Sequence, residues 1–539
     1  MIHLEQTRRR DSVLSRHLGL AASTLNRDQA VFDLLRKYVS QAGLHQGIIA
    51  TYLCAFGIYP EREALERWLT TAIETDLAPL AKELVAGAKR SGDTRFSARV
   101  ELVAPDRNAV YFDVTHTLSF PFVTGIQRVV RKMIEGGQDA KLNWVPFRWM
   151  SERLVSPLDS EECSALINRS KTKTGTKSSP HRSGPPFRFR VARFIYLCLR
   201  AFVENLLPPK ASHSLTTKLW AVRLKVSEKL AVRSGRKATA VIRNLVLFEA
   251  RVHLPELISE YDRIAFYFSV KPCLKQLSLT FYDLIPIEYP ETNLFLVERF
   301  ISYMTLLQIT DKVSGISEAV IRDVRGFTQL ERFRDRGIQL EAHRLPYEIA
   351  AETSRRVTDQ ATGTPMKGLM VGTLDPRKNH VRVLRALRKL NKEGHPVDFT
   401  FVGKVGWQAD TLLVAMESAR VEGCKINYLE YVSDAELNRL YLDADFTVFP
   451  SLVEGYGLPI IESVARGKPC ITSNRGSMKE VAELFGGCIL VNPESDEEIA
   501  SAIERLFDSK NYGPLLDSMH LPTELNGWAG YAVSVDRFL

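Results

Sequence analysis

Residues 454–462 read EGYGLPIIE, two glutamates eight positions apart around a glycine-rich turn and the start of a helix. Pro459 suits the first position of that helix, because its missing N–H would lie unpaired there and its φ is already helical. Gly455 and Gly457 permit a sharp turn and a close approach of backbone to ligand. Free N–H groups and a partial positive charge at the helix start favour a phosphate. The carboxylates of Glu454 and Glu462 are unsuited to phosphate. They suit hydroxyl donors, and sugars are the hydroxyl-rich ligands most often joined to phosphates.

Other segments converge on the same chemistry. From 367 the chain reads KGLMVGTLDPRKNHVRVLRAL, a buried-strand pattern, a turn at Pro376 carrying Arg377 and Lys378, then a helix with apolar spacing. Lys404 follows the strand DFTFV, and Glu454 follows FTVFP. In an open parallel sheet, ligands sit at the carboxyl ends of strands, where all these residues fall. Alone, Arg377 and Lys378 read as a solvated turn and Glu462 as a helix-surface carboxylate; together they read as a site. Asp443, Ala444 and Asp445 spell DAD, a metal-holding pattern elsewhere, but here the pair straddles a helix end and a strand start and reads as turn and cap, so no metal site is expected. His116 in DVTHTLSF is isolated, and reads as a structural or solvated histidine or as a proton carrier near an acceptor.

EGYGLPIIE resembles the E-x7-E motif of the retaining glycosyltransferases of family 4, which have the GT-B fold. FVGKVGW (401–407), ADFTVFPS (444–451) and GKPCITSNRGSMKEVAE (467–483) follow in the family's order, and DVT with TGIQRVVR resembles the amino-terminal domain of a subgroup of mannosyltransferases of surface polysaccharide synthesis. The resemblance covers roughly half the chain, about 265–520 and 109–132. It implies that Arg377 and Lys378 hold the donor diphosphate, that Glu454 contacts the donor sugar and that Glu462 binds the ribose. Gly455, Tyr456, Gly457, Leu458 and Lys404 then line the donor site, with Gly125, His116 and Asp283 on the acceptor side. Tyr282, in LSLTFYDLIPIEYPE, departs from the histidine common among relatives.

These motifs need elements to hold them. Residues 1–96 show helical spacing, with a turn at GIYPE, and read as a helical accessory domain without chemistry. A first Rossmann-like domain is expected over 105–355, starting at the strand AVYFDV and the helix after TGIQ, where Thr124 and Gln127 form a capping box. It resumes after a basic insert at about 155–245, with Ser317 capping the helix in KVSGISEAVIRDV. A second, nucleotide-sugar-binding domain is expected over 365–515, and the tail 516–539 is a helix that in the family crosses back. The fold class is α/β: two doubly wound domains facing a cleft.

The chain of 539 residues, 45% hydrophobic, has room for several cores. Seven scattered cysteines, without a CxxC, favour a reducing compartment over a disulfide framework or structural zinc. The first residues hold no apolar core of signal-peptide length and no segment has the uncharged length to span a bilayer, so the expected location is cytoplasmic. Net charge is +9, yet residues 171–240 alone carry 16 Lys and Arg against 2 Asp and Glu. That stretch opens with KTKTGTKSSPHRSGPP, of flexible-loop composition. In FRFRVARFIYLCLRAFVENLL, Val191, Ile195, Leu199, Phe202 and Leu206 share one helical face opposite Arg190, Arg193 and Arg200. Such a helix suits the anionic inner face of a membrane, or packs on its own domain with a solvated Arg face. No nucleic-acid-binding module is recognisable.

The resemblance implies transfer of a sugar, mannose from GDP-mannose first and UDP-linked donors next, to a polyprenol-linked or oligosaccharide acceptor, with retention and no cofactor. Two rival readings are a catalytically silent scaffold or glycan-binding protein, and an epimerase of the same fold.

Overall fold

The computed structural model describes residues 7, 10, 11, 30–72, 76–91, 100–119, 125–151, 153–168, 242–290, 294–330, 337–348 and 365–539. The expected flexible loop at 171–186, the basic amphipathic helix after it and Thr124 lie outside these residues.

The chain opens with helices α1 (Ala30–Ala42), α2 (Leu44–Phe56), α3 (Arg62–Thr71) and α4 (Ala78–Ser91). Helix α2 is apolar on all sides and buried from Gly47 to Phe56, so it needs cover all round. Part of that cover is the first α/β domain. The Tyr59 hydroxyl donates to the Leu245 carbonyl at 3.0 Å and accepts the Leu247 N–H at 2.9 Å, while the Arg153 guanidinium reaches Glu61 at 3.1 Å. One apolar core runs through both regions. The helical segment is therefore built into the neighbouring domain.

That domain contains β1 (Val100–Val103), β2 (Val110–Asp113), α5 (Thr115–Ser119), α6 (Gly125–Asp139), β3 (Trp144–Ser151), β4 (Leu154–Pro157), α7 (Ser160–Asn168), β5 (Ile242–Leu245), β6 (Arg251–Leu254), α8 (Tyr261–Val270), β7 (Gln276–Phe281), β8 (Lys312–Gly315), α9 (Glu318–Thr328) and β9 (Gln339–Ala342). Its sheet runs β4-β3-β2-β6-β7-β8-β9, parallel except for the antiparallel edge strand β4. Segments at both ends of the expected 155–245 insert are packed on this domain. Strand β4 closes the sheet edge, Arg131 holds the Leu166 carbonyl of α7 at 2.8 Å, and β5 pairs with β1. These contacts tie both flanks to the domain.

The second domain alternates β10 (Met366–Val371), α10 (His380–Lys392), β11 (Val397–Val402), β12 (Lys425–Leu429), α11 (Asp434–Asp443), β13 (Phe446–Phe449), α12 (Leu458–Val464), β14 (Cys470–Ser473), α13 (Gly476–Phe485) and β15 (Cys488–Val491), with a further helix at Asp410–Val421. The sheet is wholly parallel, ordered β12-β11-β10-β13-β14-β15. Strand order reverses between β10 and β13, as it does between β2 and β6 in the first domain; such reversals open crevices at strand carboxyl ends. The final helix α14 (Trp528–Phe538) returns to the first domain, where Trp144 Nε1 donates to Asp536 at 2.7 Å. It lies so close on α6 that a Cβ added to Gly136 would stand 2.3 Å from the Trp528 carbonyl oxygen. The molecule is a pair of doubly wound α/β domains facing a cleft, the GT-B architecture. Among the described residues, no helix is long and apolar enough to cross a membrane.

Candidate active site at two switch points

The β10–α10 and β13–α12 loops meet at the second domain's switch point. Asp375 accepts the Arg377 N–H at 2.9 Å and tightens the turn, and Asn379 takes φ +69° with its amide bonded to the carbonyls of Pro450 and Pro493. The Leu452 N–H donates to the Arg377 carbonyl at 2.8 Å, and Arg377 Nη1 donates to the Val453 carbonyl at 2.8 Å. This stitching brings both cations onto one carboxylate. Arg377 Nη1 lies 2.9 Å from Glu454 Oε1, and Lys378 Nζ bonds the same oxygen. Burial pushes the Glu454 carboxyl up, but Lys378 and Arg377 outweigh it and hold it below the usual range. For Lys378 burial prevails and lowers the ammonium. Two cations contact one carboxylate beside the cleft, and Asp375 and Asp283 act on Arg377 from farther off.

The E-x7-E loop departs from its expected geometry in two ways. Leu458 is the first helical residue and Pro459 the second, and α12 is only seven residues long, so its dipole is small and Arg377 and Lys378 carry most of the positive field. Gly457 does need its glycine, at φ +111°. Gly455 serves a different close approach: a Cβ there would lie 2.1 Å from the Tyr282 carbonyl oxygen, so what it admits is the opposite domain. Tyr456 is also turned to that domain, its hydroxyl donating to the Leu345 carbonyl at 2.9 Å. Glu462, one turn along α12, accepts the Tyr441 hydroxyl at 3.1 Å and lies 3.4 Å from Arg128 of α6.

Lys404 is exposed two strands from β13, with its ammonium 5.8 Å from the Tyr431 ring centroid. The Asp445 carboxylate caps the start of β10 through the Lys367 N–H at 2.8 Å, at the sheet edge opposite the cleft. Among the described residues, no cluster of His, Cys, Asp or Glu is arranged to hold a metal ion.

Across the cleft, Asp283 stands after β7 against Gly455. Burial pushes its carboxyl up to about 6, against the pull of the Ile285 N–H and of Arg377. Tyr282 points the other way, its hydroxyl donating to the Pro255 carbonyl inside the first domain at 2.7 Å. His116, on α5, has Nδ1 3.1 Å from Gln127 Nε2. Gly125 is exposed at the start of α6, three positions before Arg128.

Sequence reasoning missed the charge cluster at the first domain's switch point. Arg263 of α8 bonds Asp113, at the end of β2, through Nε at 2.8 Å and Nη2 at 2.7 Å, and Glu256, after β6, through Nη2 at 2.9 Å; all three side chains are 0% exposed. Glu260 adds a third carboxylate 3.6 Å from Arg263, and local donors bond the anions: Tyr267 and Thr115 hydroxyls bond Asp113, and the Thr117 N–H and hydroxyl bond Glu256 at 2.8 and 2.7 Å. The cluster pins the Thr115–Thr117 turn under His116. The available signal was an arginine among the apolar residues of YDRIAFYF and an aspartate ending a fully buried strand.

Residues 354–519 match the family described as Glycosyl transferases group 1. The serotype-specific mannosyltransferase WbdA of Escherichia coli is 27% identical over 282 residues, 48% of this chain and 32% of that protein. The O-antigen chain mannosyltransferase B of Escherichia coli is 39% identical over 137 residues, 25% of this chain and 34% of that protein. The chain thus spans about a third of the length of these relatives. A crystal structure of Anabaena Alr3699/HepE with UDP and glucose aligns with 80% of this chain and 98% of its own, at a TM-score of 0.49 and 12% identity.

Proposed function

We propose that the protein is a retaining, metal-independent hexosyltransferase of family 4, moving mannose from GDP-mannose to a lipid-linked or oligosaccharide acceptor during polysaccharide synthesis. The observation that carries this reading is the Arg377–Lys378–Glu454 cluster, two cations gathered at the switch point within reach of solvent. Cleaving a sugar–diphosphate bond puts negative charge on the leaving phosphate. Arg377 and Lys378 stand where that charge would be stabilised without a divalent ion. A bound diphosphate competes with Glu454 for both cations, which frees the carboxylate to accept a sugar hydroxyl. Glu462, already accepting a phenolic hydroxyl, is suited to the ribose. The C1–O bond to phosphate breaks, the acceptor oxygen bonds C1 from the same face, and the acceptor's proton passes to the leaving phosphate oxygen. Trapping a covalent glycosyl-enzyme would defeat this mechanism.

The mannosyl donor is favoured by the relatives described as mannosyltransferases. A screen of nucleotide sugars for hydrolysis and transfer, with and without EDTA, tests donor, metal independence and activity together. Nucleoside diphosphate released only with an acceptor supports transfer; no turnover with any donor favours the silent scaffold. We place the protein on the cytoplasmic face of the membrane, held by residues 171–240. Salt-sensitive binding to anionic vesicles, lost when that segment is deleted, is the expected result; equal binding by the deletion protein refutes it.

A further inference from the structure

Helix α9 of the first domain has an unusual cap. The Val320 N–H is satisfied locally by Ser317 Oγ at 3.1 Å, but the N–H groups of Glu318 and Ala319 donate to the two carboxylate oxygens of Glu480, each at 3.1 Å. Glu480 belongs to α13 of the other domain. The same carboxylate accepts Arg344 Nε, just after β9, at 2.8 Å. A carboxylate at a helix amino terminus is favoured by the free N–H groups and by the helix dipole, and caps are ordinarily supplied from the helix's own sequence. Here the cap forms only when the two domains are together.

Both capped helices touch the E-x7-E loop. Ser317 Oγ donates to the Gly455 carbonyl at 3.0 Å, and Ser477 Oγ of α13 donates to the Glu454 carbonyl at 2.7 Å. A domain opening that draws Glu480 off α9 also draws Gly455 away from Ser317 and Tyr282, and Glu454 away from Asp283. Glu480 and Arg344 keep 14% and 34% of their side chains exposed, and they line a groove with Arg322, Lys479 and Glu483 that opens to solvent. Water can therefore take over these contacts when they part, so the pairing biases closure without locking it.

We infer that Glu480 is an interdomain latch and a positioning residue for the Glu454 loop: it caps α9 in trans and so couples domain closure to assembly of the cleft. Only its kinetic consequence rests on the proposed transferase activity. Full-length Glu480→Ala and Glu480→Gln proteins are compared with the natural chain by native-state hydrogen exchange at the 318 and 319 amides, by small-angle scattering and by donor kinetics. The expected result for Glu480→Ala is exchange at both amides faster by about 10-fold, a larger radius of gyration and a kcat/KM lower by about 10-fold, mostly in kcat. Glu480→Gln falls between, and decides the matter if the alanine variant does not fold. Unchanged exchange and scattering overturn the latch. Faster exchange with undiminished kcat overturns the positioning role. If the natural chain turns over no donor, the proposed activity fails, while exchange and scattering still decide the latch.

Discussion

The two domains place a charge cluster at the same topological position and build it oppositely. At the β10/β13 switch point two cations contact one carboxylate; at the β2/β6 switch point one guanidinium contacts Asp113 and Glu256 and lies 3.6 Å from Glu260. Arg377, Lys378 and Glu454 keep 11–14% of their side chains exposed to the cleft, whereas Asp113, Glu256 and Arg263 keep none. In the sealed cluster hydroxyls and backbone N–H groups bond the anions and hold the turn beneath His116. In the cleft cluster both cations stay within reach of solvent, where the proposed diphosphate would compete with Glu454 for them. A crevice becomes structural or ligand-binding according to whether solvent can reach its charges.

Breaking the sealed cluster has the largest expected effect. Arg263→Leu strands two buried carboxylates, and losing one member of a buried ion network costs about 4 kcal/mol. A thermal melt lower by roughly 10 °C checks it, and a melt unchanged within a degree would show that the cluster is dispensable. Truncating the cleft cluster acts on turnover. Arg377→Ala or Lys378→Ala is expected to lower kcat/KM by on the order of 10²-fold, about 2.7 kcal/mol, with a melt shifted by only a few degrees. Near-natural kinetics in both variants would remove the diphosphate assignment. Gly455→Ala tests whether the cleft cluster depends on the domain contact. Its Cβ cannot fit 2.1 Å from the Tyr282 oxygen, so kcat/KM is expected to fall about 10-fold with a more open scattering profile.

The smallest effect is a pH profile. With its carboxyl pushed up to about 6, Asp283 is neutral below that value and charged above it. If the charged form orients the acceptor, kcat/KM falls as pH drops through about 6, and Asp283→Asn lacks that limb. The stability sign is opposite. A carboxyl with a raised folded-state pKa contributes stability below its unfolded value, about 3.9, and loses it as pH rises toward the folded one. Asp283→Asn is therefore expected to melt higher than the natural chain at pH 7 and equally at pH 4 or below. A variant that retains the acidic limb would clear Asp283 of the role.

Much of the cleft cluster was legible in the chain because its members follow strands with simple buried patterns. KGLMVGT, DFTFV and FTVFP mark where Arg377, Lys378, Lys404 and Glu454 emerge, and topology brings Arg377 and Lys378 onto Glu454. Lys404 follows the strand on the far side of β10 from β13, an order that local pattern does not encode, and its carbonyl accepts the Leu374 N–H at 2.9 Å. Gly455 and Tyr456 read as ligand-loop residues because their domain partners, Tyr282 and Leu345, are distant in sequence. Arg263 and Glu480 were illegible for the same reason. Each looks like a helix-surface charge until a distant partner is brought to it, Asp113 at 150 residues for Arg263 and the Glu318 N–H at 162 for Glu480.

By itself the sequence determined the alternation of strands and helices, the reversal-edge residues and the basic pair Arg377 and Lys378, because hydrophobic period and turn chemistry act over a few residues. Only the tertiary structure decided that the amino-terminal helices share a core with the first domain, that its switch point is sealed and that Glu480 caps a helix in the other domain. These outcomes depend on desolvation and on charge pairs between distant segments, and both are set when the chain packs.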